Sequence, residues 1–228
     1  MAQCYYKLDN FNESIAIYEK LVSVSQEINF SDKDYYFFAK SLYKLQKYQK
    51  AITYYSDLIN RFPDSNLVEE SILDLCWCYI KFPERNIENE IDRVINEHPR
   101  LKELPEINLV LGYVYKQREE YKKALSWFEK VLAQRPDREI SKETLWQTAE
   151  CYYLLGDYNN AVKIYLQLNL LYNDSKEFLG KCYYQLGRCY EQLQNNEEAR
   201  VVYQKIIDSS ISDELTEKAR NRIKVLSP

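Results

Sequence analysis

The chain of 228 residues is short of punctuation, with four glycines and six prolines. Folds built from many strands and tight turns draw heavily on both, so the scarcity favours helices. Histidine occurs once, at His98 beside Pro99, and the six cysteines (Cys4, Cys76, Cys78, Cys151, Cys182 and Cys189) include no CxxC pair. A metal site of Cys and His ligands therefore has little to draw on. GxSxG, HExxH and glycine-rich phosphate loops are all missing, so neither an enzyme activity nor a cofactor is expected. No apolar run approaches the roughly 20 residues of a membrane-spanning helix. No basic-then-apolar secretory signal opens the chain. An excess of positive charge is also lacking. The formal net charge is -4, which argues against nucleic acid, because phosphate affinity needs concentrated Lys and Arg.

What is present is ordinary foldable material, 46% hydrophobic and 29% charged, with tyrosine in excess at 22 residues. It is also self-similar. AQCYYKLDNFNESIAIYEKL (Ala2–Leu21) returns as AECYYLLGDYNNAVKIYLQL (Ala149–Leu168). Taking Ala2 as an anchor, equivalent residues fall at Ala39, Leu75, Gly112, Ala149 and Gly187, in steps of 36 to 38 residues. A period of that size denotes a solenoid of two-helix units. Nine residues after the anchor comes an aromatic, at Phe11, Tyr48, Tyr121 and Tyr158. Three further on lies a small residue, at Ser14, Ala51, Ala124, Ala161 and Ala199. Four beyond that is a second aromatic, at Tyr18, Tyr55, Phe128, Tyr165 and Tyr203. Spacings of three and four share one helical face. The small residue lets two helices approach and the aromatics fill the space between them. Pro63, Pro99 and Pro136 lie where a helix has to stop.

The unit LGYVYKQREEYKKALSWFEKVLAQRPD (Leu111–Asp137) resembles the tetratricopeptide repeat, and the resemblance extends over nearly the whole chain. It implies an all-α, right-handed solenoid of about six helix-turn-helix units with a C-terminal capping helix. The expected units are 1–30, 31–64, 65–103, 104–140, 141–174 and 175–211, followed by the cap over 212–228. Against the usual 34-residue unit, each carries about two or three extra residues. RFPDSNLVEES (Arg61–Ser71) resembles the longer repeats of bacterial cell-envelope proteins, including lipoproteins and Tol–Pal-associated factors. That implies a setting in cell-envelope or motility machinery.

Ser31, Ser65, Ser141, Ser175 and Ser212 are expected to open helices, with carboxylates in the first turn. Ala2 sits at the eighth position of its unit, so a fragment of a longer protein is expected, and the missing signal says nothing of compartment. Cytoplasm and bacterial periplasm both stay open. Cys4, Cys151 and Cys189 all fall two residues after their anchors, where a small side chain packs between helices. The third unit departs from the pattern, with Glu84, Ile87 and Ile91 at the aromatic, small and aromatic positions and Pro83 in the turn. Asp64 to Asp92 holds eight acidic and two basic residues, a solvated acidic face or a second partner surface.

The resemblance also implies that the first helix of each unit lines a concave, partner-binding face. The residues placed there are Tyr6, Lys7, Tyr36, Lys40, Tyr43, Lys44, Tyr79, Tyr113, Lys116, Trp146, Glu150, Tyr153, Tyr184 and Arg188. Tyrosines bury much area at low entropy cost, and lysines among them suit an acidic protein or peptide partner. The expected function is a protein-interaction scaffold or adaptor. Glycan recognition by the concave Tyr and Trp is the alternative, and single-stranded RNA binding is third. The Lys-x3-Asn and Lys-x3-Arg spacings that members use to grip chaperone C-termini do not occur at matching positions, so that ligand is not expected.

Overall fold

The computed structural model describes residues 1–24, 30–81, 89, 93–94, 96–209 and 212–226. No strand occurs among them. The chain divides into two compact units, Met1–Val110 and Leu111–Pro228. The first holds α1 (Ala2–Lys7), α2 (Phe11–Val24), α3 (Asp32–Lys44), α4 (Tyr48–Arg61), α5 (Val68–Ile80) and a 3-10 turn (Pro99–Glu103). Helix α6 (Pro105–Gln117) crosses the division, and the second unit continues with α7 (Tyr121–Ala133), α8 (Arg138–Leu154) and α9 (Tyr158–Leu171). It ends with α10 (Lys176–Gln192), α11 (Asn196–Asp208) and α12 (Asp213–Leu226). Helices α1 to α5 each pack on the next, as do α7 to α12, and α1 with α3, α3 with α5 and α10 with α12 also touch. That is the connectivity of stacked helical hairpins, an all-α solenoid.

The repeated sequence positions are the core. Ser14, Ala51, Ala124, Ala161 and Ala199 are fully buried, and so, to within 1%, are Tyr18, Tyr55, Phe128, Tyr165 and Tyr203. Each aromatic contributes about 2 kcal/mol by leaving water. At Gly187 the neighbouring helix comes so close that a Cβ would sit 2.5 Å from the Tyr203 ring, so no larger residue fits there without moving the ring.

The turn between the paired helices repeats as well. Seven residues after the anchor, Asp9, Gln46, Glu119, Gly156 and Gln194 all have φ between 58° and 77°. The following amide donates back across the turn, from Lys47 N to Leu42 O at 2.8 Å and from Asn195 N to Tyr190 O at 2.9 Å. A left-handed residue closing a helix in this way satisfies carbonyls that the helix end leaves open. Only Gly156 is free of the Cβ penalty.

The helix starts need two corrections. Ser31 caps α3 in a reciprocal box with Asp34, Ser175 accepts from Phe178 N, and Ser212 accepts from Leu215 N. Ser141, however, lies inside α8, which begins three residues earlier because Asp137 accepts from Ile140 N at 2.9 Å. Helix α5 begins at Val68 with no side-chain cap. Ser65 turns the chain ahead of it, accepting from Leu67 N and donating to Asp32 at 2.6 Å. Cys76, Cys78, Cys151, Cys182 and Cys189 are buried, but Cys4 is exposed, against the expectation that it packs between helices. Pro83, Glu84, Ile87 and Ile91 lie outside the described residues.

Candidate interaction surface

In the Met1–Val110 unit, α1, α3 and α5 carry the expected partner-facing side chains. Lys40 is tied down: its ammonium lies 2.6 Å from Asp74 and 3.1 Å from Glu70. Tyr36 donates to Glu70, and Tyr55 donates to Asp74 at 3.0 Å. Burial works against the Lys40 charge, but the Asp74 carboxylate, with Tyr36, outweighs it and holds the ammonium above its ordinary pKa. Burial, then Asp74, pushes the Tyr55 hydroxyl far up, so it stays a donor. Tyr36 and Tyr79 are 6% and 4% exposed, so neither ring faces solvent. Tyr6 is half-buried between Phe11 and Phe37, with ring centroids 5.6 and 5.1 Å away. Tyr43 is half-buried edge-on to Tyr48 at 5.5 Å. Lys7 and Lys44 are exposed, and neither makes an ion pair among the described residues.

In the Leu111–Pro228 unit the same face is half-open. Tyr113 donates to Glu143, which also accepts from Gln147 at 2.8 Å. The Lys116 ammonium donates to the Gln147 amide oxygen at 2.6 Å. Glu150 accepts from Tyr165 at 2.5 Å. Trp146 is wedged between Tyr165 and Phe178, 5.6 and 5.7 Å away. Tyr184 packs on Tyr203 at 5.8 Å. Arg188 lies over the Tyr153 ring, 4.5 Å from its centroid, and donates to the Tyr153 hydroxyl and the Gln185 side-chain oxygen, both at 2.9 Å. Both cations are thus half-buried on neutral acceptors. Among the described residues neither has a carboxylate partner, which a guanidinium in particular is shaped to grip.

The acceptors were not legible in the sequence. Four buried tyrosines of the second helices reach a carboxylate on a first helix: Tyr18 to Asp34 at 3.4 Å, Tyr55 to Asp74, Tyr165 to Glu150, and Tyr203 to Glu191 at 2.7 Å. Glu191 also accepts from Arg222 Nε of α12 at 2.8 Å, tying the last helix to the hairpin before it. The tyrosines recur in register but the carboxylates do not, so no sequence period marks them. A buried phenol with no water must find an acceptor, and that requirement is the signal.

No cluster of His, Cys, Asp or Glu among the described residues is arranged to hold a metal ion. No described helix is long and apolar enough to cross a membrane.

A family model described as tetratricopeptide repeat matches residues 1–149. A second, described as anaphase-promoting complex, cyclosome, subunit 3, matches residues 117–206. No curated protein matches the sequence. Among solved structures, the chain is similar to PilW, a widely conserved type IV pilus biogenesis factor, with a TM-score of 0.72 at 15% identity over 95% of this chain and 94% of that one. It is similar to a tetratricopeptide repeat protein from Parabacteroides merdae, with a TM-score of 0.65 at 14% identity over 99% and 81%. It is also similar to a chain of the APC/C hetero-tetramer Cut9-Hcn1, with a TM-score of 0.68 at 15% identity over 98% of this chain and 41% of that one.

Proposed function

Since the chain belongs to the tetratricopeptide repeat family, whose members bind protein partners and are generally non-catalytic, we propose that it is a scaffold that holds an acidic peptide segment of a partner on its helix faces. Arg188 carries the proposal. Its guanidinium is positioned by Tyr153 and Gln185, with no carboxylate among the described residues paired to it. Lys116 on Gln147, and the exposed Lys7 and Lys44, extend the same chemistry. A preformed helical surface loses little entropy on binding, and stacked tyrosine beside arginine is the composition of interface hot spots. Lys40 and Tyr36 hold α3 and α5 together in this reading instead of touching the partner, and Tyr79 is buried. The glycan alternative draws no support from Trp146, whose ring is packed between two others.

The test is a peptide-display selection on the wild-type chain, followed by binding of enriched peptides to Arg188→Gln and Lys44→Gln. Enriched peptides rich in Asp and Glu, weakened about tenfold by loss of the paired cation, support the reading. Peptides without acidic bias, or indifferent to both substitutions, would sink it. The cell-envelope or motility setting is part of the same proposal, motivated by the Arg61–Ser71 phrase.

A further inference from the structure

A second surface lies in the Leu111–Pro228 unit, where α9, α10 and α11 enclose a groove of about 420 Å³. None of its lining residues belongs to the partner-facing set above. Tyr183 and Tyr190 of α10 line it. Its walls are Leu166 of α9 and Val201 of α11, 47% and 56% exposed. Leu170, one turn further along α9, is 76% exposed. Single exposed leucines are unremarkable, but apolar walls around an apolar hollow denote a contact surface.

The charges at the rim say what kind. Glu198 and Lys205 both line the groove and both stand on α11. They are seven residues apart, two helical turns or about 10 Å, on one face. Among the described residues Glu198 makes no hydrogen bond or ion pair, the neighbouring Glu197 being the one that pairs with Arg200. Lys205 lies over the Tyr183 ring, 5.6 Å from its centroid, and has no carboxylate partner among the described residues. The surface therefore offers a negative end, an apolar middle with both hollow and protrusions, and a positive end. A two-fold axis through its centre maps each feature onto its complement. Glu198 meets the partner's Lys205, Lys205 meets the partner's Glu198, and the Leu166 and Val201 side chains fill the opposite hollow. Such self-complementarity is the requirement for an isologous contact.

We propose that the chain forms a two-fold dimer through this α9–α11 groove, with its α11 helices antiparallel. A different protein would have to carry the same charges in the same order, so the second copy is the occupant the groove specifies. The contact leaves the Arg188 face free, so dimerisation and peptide binding are separable.

The experiment is sedimentation equilibrium on the whole chain between about 1 and 100 µM, where a reversible dimer shows a concentration-dependent mass. The wild type should dimerise, and Val201→Asp should be monomeric with unchanged helicity. Glu198→Lys and Lys205→Glu should each weaken the dimer about tenfold, because each reversal makes two like-charge contacts. The combined swap should restore binding to within about threefold, since both pairs re-form with exchanged signs. A wild type that stays monomeric over the range overturns the proposal. So does a dimer indifferent to Val201→Asp, or a combined swap no better than the single reversals.

Discussion

Lys40 separates two readings of the same residue. A lysine that waits for a ligand on a solvated surface contributes little to stability, within about 0.5 kcal/mol either way. The structure gives it a different part. Its ammonium is 2.6 Å from Asp74, and the two side chains are 17% and 14% exposed. Removing one member of a fully buried ion pair costs about 3–5 kcal/mol, because the other charge is left without a partner. Here some water still reaches the pair, and Tyr55 keeps donating to Asp74 at 3.0 Å, so the cost of Lys40→Met comes to about 2–3 kcal/mol. For a chain of this size that is a fall in Tm of about 4–12 °C. Adding Asp74→Asn removes the orphaned charge and keeps an acceptor for Tyr55, so the double variant should recover most of the loss. The assay is urea and thermal unfolding followed by circular dichroism, with the exposed Lys44→Met as control. A Lys40→Met protein as stable as that control would refute the argument that this lysine holds α3 to α5.

Two further outcomes follow from the packing. Gly187→Ala gains about 0.5–1 kcal/mol of helix propensity but forces the buried Tyr203 ring aside, at about 1–3 kcal/mol. A net loss in unfolding midpoint is expected, partly relieved by Tyr203→Leu, and a gain in stability would mean that the ring is not so close. Burial raises the thiols of Cys76, Cys78, Cys182 and Cys189 to about 12 and that of Cys151 to about 11. Cys4 is exposed. A disulfide exchange reagent at pH 8 should therefore titrate one thiol quickly and the other five only on unfolding. Two or more fast thiols in the folded chain would contradict the burial.

Repetition itself was legible. Six anchors at a near-constant step, with a small residue and an aromatic at fixed offsets, dictate helical hairpins, because only one face of each helix can bury those residues. From Ala51 and Tyr55, or Ala161 and Tyr165, the core could be named without coordinates. The left-handed turns were not legible. Gln46, Glu119 and Gln194 carry no sign of a positive φ, which the hydrogen bonds of the turn impose at the expense of local comfort. The roles of the polar residues were hidden for a related reason. Lys40 and Lys44 sit four residues apart and read alike in sequence. One is bound to two carboxylates of the next unit and the other faces water. That difference depends on where Glu70 and Asp74 arrive after α4 and its turn. Hydrophobic period is local and survives as a one-dimensional signal. Charge pairing between helices is set by three-dimensional proximity, so the sequence determined the solenoid and its core, and the tertiary structure decided which charges were spent on holding it and which were left over.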